Sequence, residues 1–167
     1  MKNYKIEVKW GIIFTLTGLV WMIFEKTMGW HGEKIHLHPI YTNIFGFLAV
    51  LIFVLALKDK KKNFYNGVMT WREGFISGII VTIVVALLSP LSQYLTSEFI
   101  SPSYFENMIE YSVENNRMNK NDAESLFNLK SYMIQAVSGA LIMGVVTSAI
   151  IAWFVKTKKE KQVKSVV

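Results

Sequence analysis

The 167-residue chain contains no cysteine, which excludes disulfide stapling and thiol redox chemistry. It also lacks a phosphate-cradling glycine loop, a catalytic serine or cysteine motif, and the paired-histidine motif of intramembrane zinc proteases. The most informative absence is charge. Asp, Glu, Lys and Arg make up 18% of the chain, yet none falls within residues 10–24, 39–57, 74–97 or 131–155. About 20 apolar residues are enough to cross a bilayer. Four such runs in so short a chain exclude an ordinary soluble domain, and a 52% hydrophobic content excludes a disordered one. The expected fold is all-α, a four-helix transmembrane bundle with spans at about 10–28, 40–57, 72–97 and 131–155.

The charges that are present set an expected orientation. The segments before the first span, between the second and third, and after the fourth carry 13 of the 18 Lys and Arg residues. The two other loops carry 5 basic against 8 acidic residues, a net of −3. Basic segments stay on the cytoplasmic side, so both termini are expected there, with residues 156–167 as a basic cytoplasmic tail. The net charge of +6 therefore reports topology and contact with anionic lipid; nucleic acid is not an expected partner. Lys2, Lys5 and Lys9 precede the first run as in a secretory signal, but no small-x-small cleavage site follows, so the run reads as a retained span. Trp10, Trp71 and Trp153 fall at the cytoplasmic ends and Trp30, Tyr41 and Tyr132 at the opposite ends, the interfacial placement that amphipathic rings prefer.

Local patterns add detail. Thr70 followed by Glu73 is a capping box for the third span, which makes Glu73 a cap rather than a gate. Pro90, preceded by Ser89, should kink that span or release a carbonyl. Small residues recur every fourth position as Gly74, Gly78, Thr82 and Ala86, and again as Ala136, Ala140, Gly144, Ser148 and Ala152. Such stripes let helix backbones approach closely in lipid, either on each other or on a second copy or partner protein. Gly11 and Gly18 offer a thinner version on the first span. Residues 98–130 form an extracytoplasmic loop that is expected to be partly helical. In it Ser103 and Glu106 suggest a cap, Tyr104, Phe105, Met108, Ile109, Tyr111 and Val113 an apolar face lying on the membrane, and Asn121 with Glu124 a second start.

The arrangement resembles the bacterial inner-membrane proteins catalogued as domain of unknown function 4199. The resemblance is carried by Gly67-Val-Met-Thr-Trp-Arg-Glu-Gly74-Phe-Ile-Ser-Gly78 and by Phe99-Ile-Ser-Pro102-Ser-Tyr104. It implies a four-span protein of the inner membrane and transfers no activity, cofactor or catalytic residue.

Candidate chemistry is sparse. All three histidines, His31, His36 and His38, lie in one loop with Glu33, and imidazoles with a carboxylate suit zinc or copper. Glu25, with Lys26 beside it, reads as an interfacial pair at the end of the first span. No charge falls near the middle of a span, which argues against coupling through a buried carboxylate. No cofactor is expected and no catalytic site is found. The leading expectation is a structural or accessory helix-packing protein whose partners are lipid and either further copies or another membrane protein. The alternative is a small homo-oligomeric transporter or channel, with Gln93, Gln135 and Ser138 as its polar lining.

Overall fold

The computed structural model describes residues 4–158, so the basic tail lies outside the described residues from 159 onward. Its helices are α1 (Lys5–Thr27), α2 (His38–Tyr41), α3 (Phe45–Asn63), α4 (Trp71–Leu95), α5 (Tyr104–Glu114), α6 (Lys120–Leu126) and α7 (Leu129–Val155). Tight turns at Ile35–Leu37 and Thr42–Ile44 flank α2, and a wide π turn, Thr96–Ile100, extends α4. Among the described residues, four helical segments are long and apolar enough to cross a membrane: Lys5–Thr27, Ile35–Asn63, Trp71–Ile100 and Leu129–Val155. They alternate in direction, so one end of the bundle holds the start of α1, the end of α7 and the α3–α4 turn, and the other holds α2, α5 and α6. We call these the terminal end and the loop end.

Large apolar side chains face outward on every long helix, among them Val20, Phe47, Leu87 and Phe154. Water would penalise that surface, whereas hydrocarbon does not, and continuous helices satisfy their own backbone groups there. Inside, α4 is the central element and packs on α7, α1 and α3. Its stripe meets that of α7 in antiparallel register: a Cβ added at Gly74 would lie 3.2 Å from that of Ala152, one at Gly78 would lie 2.6 Å from that of Ser148, and one at Gly144 would strike Thr82. Close backbone approach of this kind is a main source of helix association in lipid. On the other side of α4, Gly11 of α1 makes room for Val84. The apolar core lies toward the terminal end and includes Phe53, Leu57, Met69, Val81, Ile151 and Ala152.

Thr70 and Glu73 form the complete capping box of α4. Pro90 leaves the helix unbroken. It cannot donate to the carbonyl of Ala86, and the Ser89 hydroxyl does so instead at 2.9 Å. The loop end departs from expectation in three places. Ser103 precedes α5 without a side-chain cap, since its backbone is not extended as a cap requires. The next helix starts after Asn119, which caps the Asp122 N–H, rather than at Asn121. The apolar side of α5 is used within the chain, where Tyr104 and Met108 bury against Ile35, Ala123 and Phe127 in a second core that covers the bundle.

Candidate functional site

The site begins with the way α1 stops. Gly29 adopts φ +80°, the left-handed conformation that glycine tolerates best, and the chain reverses there. The Trp30 N–H returns to the Glu25 carbonyl at 3.1 Å and the Gly29 N–H to that of Lys26 at 3.0 Å, a complete Schellman ending. The reversal carries His31 back onto the last turn of α1, and the short turns around α2 bring His38 to the same place. Trp30, buried by the same reversal, stacks on Tyr41 with ring centres 4.4 Å apart.

The focus is Glu25, whose side chain is fully buried. Its Oε1 accepts from Trp21 Nε1 at 2.6 Å. Its Oε2 lies 3.1 Å from His31 Nε2 and 3.4 Å from His38 Nε2. His38 Nδ1 is in turn 3.3 Å from the Tyr104 hydroxyl, which is 3.2 Å from that of Tyr132. Burial pushes the Tyr104 hydroxyl far above the ordinary tyrosine range, so it stays protonated and serves as a neutral donor and acceptor. Asn107 ties α5 to the site by donating to the His31 carbonyl at 2.8 Å. His31 Nδ1 is the one buried side-chain nitrogen or oxygen without a hydrogen-bond partner among the described residues.

Two cavities adjoin this cluster. The smaller, about 150 Å³, is lined by His31, His38, Tyr104 and Tyr132 together with Met22, Gln93 and Thr96. The larger, about 300 Å³, lies between the four long helices and shares Met22, Gln93 and Thr96 with the first. Thr15, Ser89, Ser92 and Thr147 add hydroxyls to its otherwise apolar wall. Thr96 opens the π turn, and such turns widen a helix where side chains must be re-aimed.

The sequence-derived candidates separate in this frame. His31 and His38 come together, but His36 is exposed on the opposite side of its tight turn and takes no part. Glu33 is also exposed; the carboxylate beside the two imidazoles is Glu25. The interfacial pairing of Glu25 with Lys26 is therefore corrected, because neighbours on a helix point in different directions and Lys26 faces outward. Of the polar lining residues, only Gln93 reaches the cavities. Gln135 is exposed and bonded to Ser131 at 3.0 Å, and Ser138 lines a shallow outer hollow beside Pro90.

A second buried polar group lies at the terminal end. Glu7 of α1 receives Lys60 of α3 at 2.9 Å and the Ser77 hydroxyl of α4 at 2.9 Å, and both charged side chains are almost wholly buried. Nearby, Asp59 accepts from Trp10 at 2.7 Å and also pairs with Lys9. Lys9 and Lys60 are two of the 13 basic residues that set the expected orientation, and no local sequence pattern singles out Glu7 or Asp59.

Chemically, two imidazoles and one carboxylate with ligand atoms all within 4.8 Å of one another can share a proton or hold a metal ion. A family model described as "Protein of unknown function (DUF4199)" matches residues 9–157. No curated protein and no solved structure matches the chain.

Proposed function

The chain belongs to the DUF4199 family, whose function is unknown, and we propose from its geometry that it is a small carrier of cations in a bacterial inner membrane. Both termini face the cytoplasm in this reading, and the loop end faces outward. The distribution of 13 of the 18 basic residues supports that orientation, as does the net charge of −3 on the two opposite loops. The observation that carries the reading is Glu25. A buried ionisable residue at a span end is costly unless it is paired, and here it opens through its two histidines onto a cavity between the helices.

A structural or accessory role has less support, since Gly74, Gly78 and Thr82 of one small-residue stripe already pack on Ala152, Ser148 and Gly144 of the other within one chain. Nor does a cavity for the cation require a homo-oligomer, because the helices of a single chain line one of about 300 Å³. An apolar layer including Phe53, Leu57 and Val81 packs at the terminal end, and the cavity lies on the loop-end side of it.

The test is uptake into vesicles containing the reconstituted full chain, with protons, sodium, potassium, magnesium, manganese and zinc offered in turn. At least one cation is expected to enter faster than into empty vesicles. Glu25→Gln should slow that uptake by roughly tenfold or more, since a hydrogen bond to a charged group contributes about 1.5–3 kcal/mol. Gln93→Ala should slow it as well, and Gln135→Ala, on the outward surface, should not. If no cation exceeds the empty-vesicle rate and native mass spectrometry finds a foreign subunit in fixed ratio, the accessory role holds instead.

A further inference from the structure

We infer that Glu25, His31 and His38 form a binding site for a divalent transition ion of the zinc class. The inference rests on reading this cluster as the functional site and names its ligand. Zinc holds imidazole nitrogen and carboxylate oxygen at about 2.0–2.2 Å in a tetrahedron, which sets neighbouring ligand atoms roughly 3.3–3.6 Å apart. The two distances from Glu25 Oε2, 3.1 and 3.4 Å, are near that edge length, and the three ligand atoms lie within 4.8 Å of one another. Two nitrogens in a three-ligand set disfavour magnesium and calcium, which prefer oxygen, and suit zinc and its neighbours in the first transition row.

The surroundings match what metal ligands require. A ligating histidine is held in one tautomer by a partner on its other nitrogen, and Tyr104 stands 3.3 Å from His38 Nδ1. Trp21 occupies the second oxygen of Glu25, which leaves Oε2 for the ion. The smaller cavity beside the histidines gives a fourth ligand, water or an exchanging group, a place to sit. His31 Nδ1, the ring nitrogen not directed at Glu25, has no such partner among the described residues, so Tyr104 orients His38 alone. Among the described residues Glu25 lies beside His31 and His38 and forms no ion pair with Lys or Arg, so no fixed ammonium or guanidinium competes with an ion there.

The experiment is equilibrium binding to the full chain in detergent, with zinc measured by calorimetry and cobalt by its visible absorption. The wild type is expected to bind one ion per chain, with cobalt giving the intense bands of a tetrahedral site. His31→Ala and His38→Ala should each weaken binding by more than about 100-fold, and Tyr104→Phe, which keeps the ring, by about 10-fold. His36→Ala should bind as the wild type does. Helical content and melting temperature confirm that each variant is folded, and Glu25→Gln supplies a near-isosteric third ligand test. Folded wild type that binds no zinc or cobalt, or His31→Ala and His38→Ala proteins that bind as tightly as wild type, would overturn the site. Binding in detergent needs no transport, so a chain that binds zinc but passes no cation retains the site and loses the carrier reading. A chain that passes cations without binding zinc does the reverse.

Discussion

Gly78→Leu is expected to cost the protein at least about 3 kcal/mol, at or beyond the upper end of what overpacking a core usually costs. A Cβ at this position would lie 2.6 Å from the Ser148 Cβ and 3.2 Å from its Cα, so the obstacle is helix backbone rather than a movable side-chain tip. Relief requires α4 and α7 to separate, which would also loosen Gly74 from Ala152 and Thr82 from Gly144. In hydrocarbon little apolar driving force restores the contact, since lipid chains solvate the separated faces as well as the helices do. For a chain of this size the change corresponds to a melting-point loss of roughly 6–12 °C in detergent. Gly139→Leu on α7 and Gly46→Leu on α3 are the controls. Nothing lies within 4 Å of a Cβ at either place, and both should stay within about 0.5 kcal/mol of wild type. Equal damage from Gly139→Leu and Gly78→Leu would mean that a second copy or a partner covers the outward side of α7, which would restore the accessory reading.

The contrast between those glycines shows what was readable beforehand. A repeat of small residues at every fourth position places them on one helix face, and two such faces on spans of opposite direction meet with constant register. The capping box at Thr70 and the four spans are local in the same sense, because chain neighbours and hydropathy alone decide them. Glu25 was not readable in this way. Its partners stand six and thirteen residues later, and only the reversal at Gly29 with the turns around α2 returns them to α1. A glycine placed after the last apolar turn is a known helix stop, so Gly29 was the available signal that His31 would fold back. His36 and His38 alternate in sequence, and an extended backbone would put both rings on one face, but the segment is a tight helical turn and only the His38 ring faces inward. The buried Lys60 was hidden for another reason. It sits in a run with Lys58, Lys61 and Lys62, where composition indicates a solvated interface and cannot single out the one ammonium that meets Glu7 across the bundle.

That pair yields the other large effect. Lys60→Met should destabilise the protein by about 3–5 kcal/mol, because it removes the ammonium facing both oxygens of a carboxylate that is only 1% exposed. Glu7→Leu alone should cost a similar amount by leaving the Lys60 charge without its carboxylate. The double variant Glu7→Leu with Lys60→Met should recover most of the loss, to within about 1 kcal/mol of wild type, since a buried ion pair and a well-packed apolar pair are often close in free energy. Ser77 would then lose its acceptor and can turn to the carbonyl one helical turn back, a low-cost exchange. Unfolding of all four proteins in one detergent gives the cycle directly. Single losses that simply add in the double variant would show that the two charges do not interact, contrary to the 2.9 Å geometry. The coupled outcome has a further use, because Glu7, Lys60 and Ser77 join α1, α3 and α4 at the end opposite the histidine cluster. If the stable double variant still takes up cations, the pair is a clamp that holds three helices together. If uptake stops while the fold persists, the clamp must open for passage, and the cation route runs past both buried carboxylates.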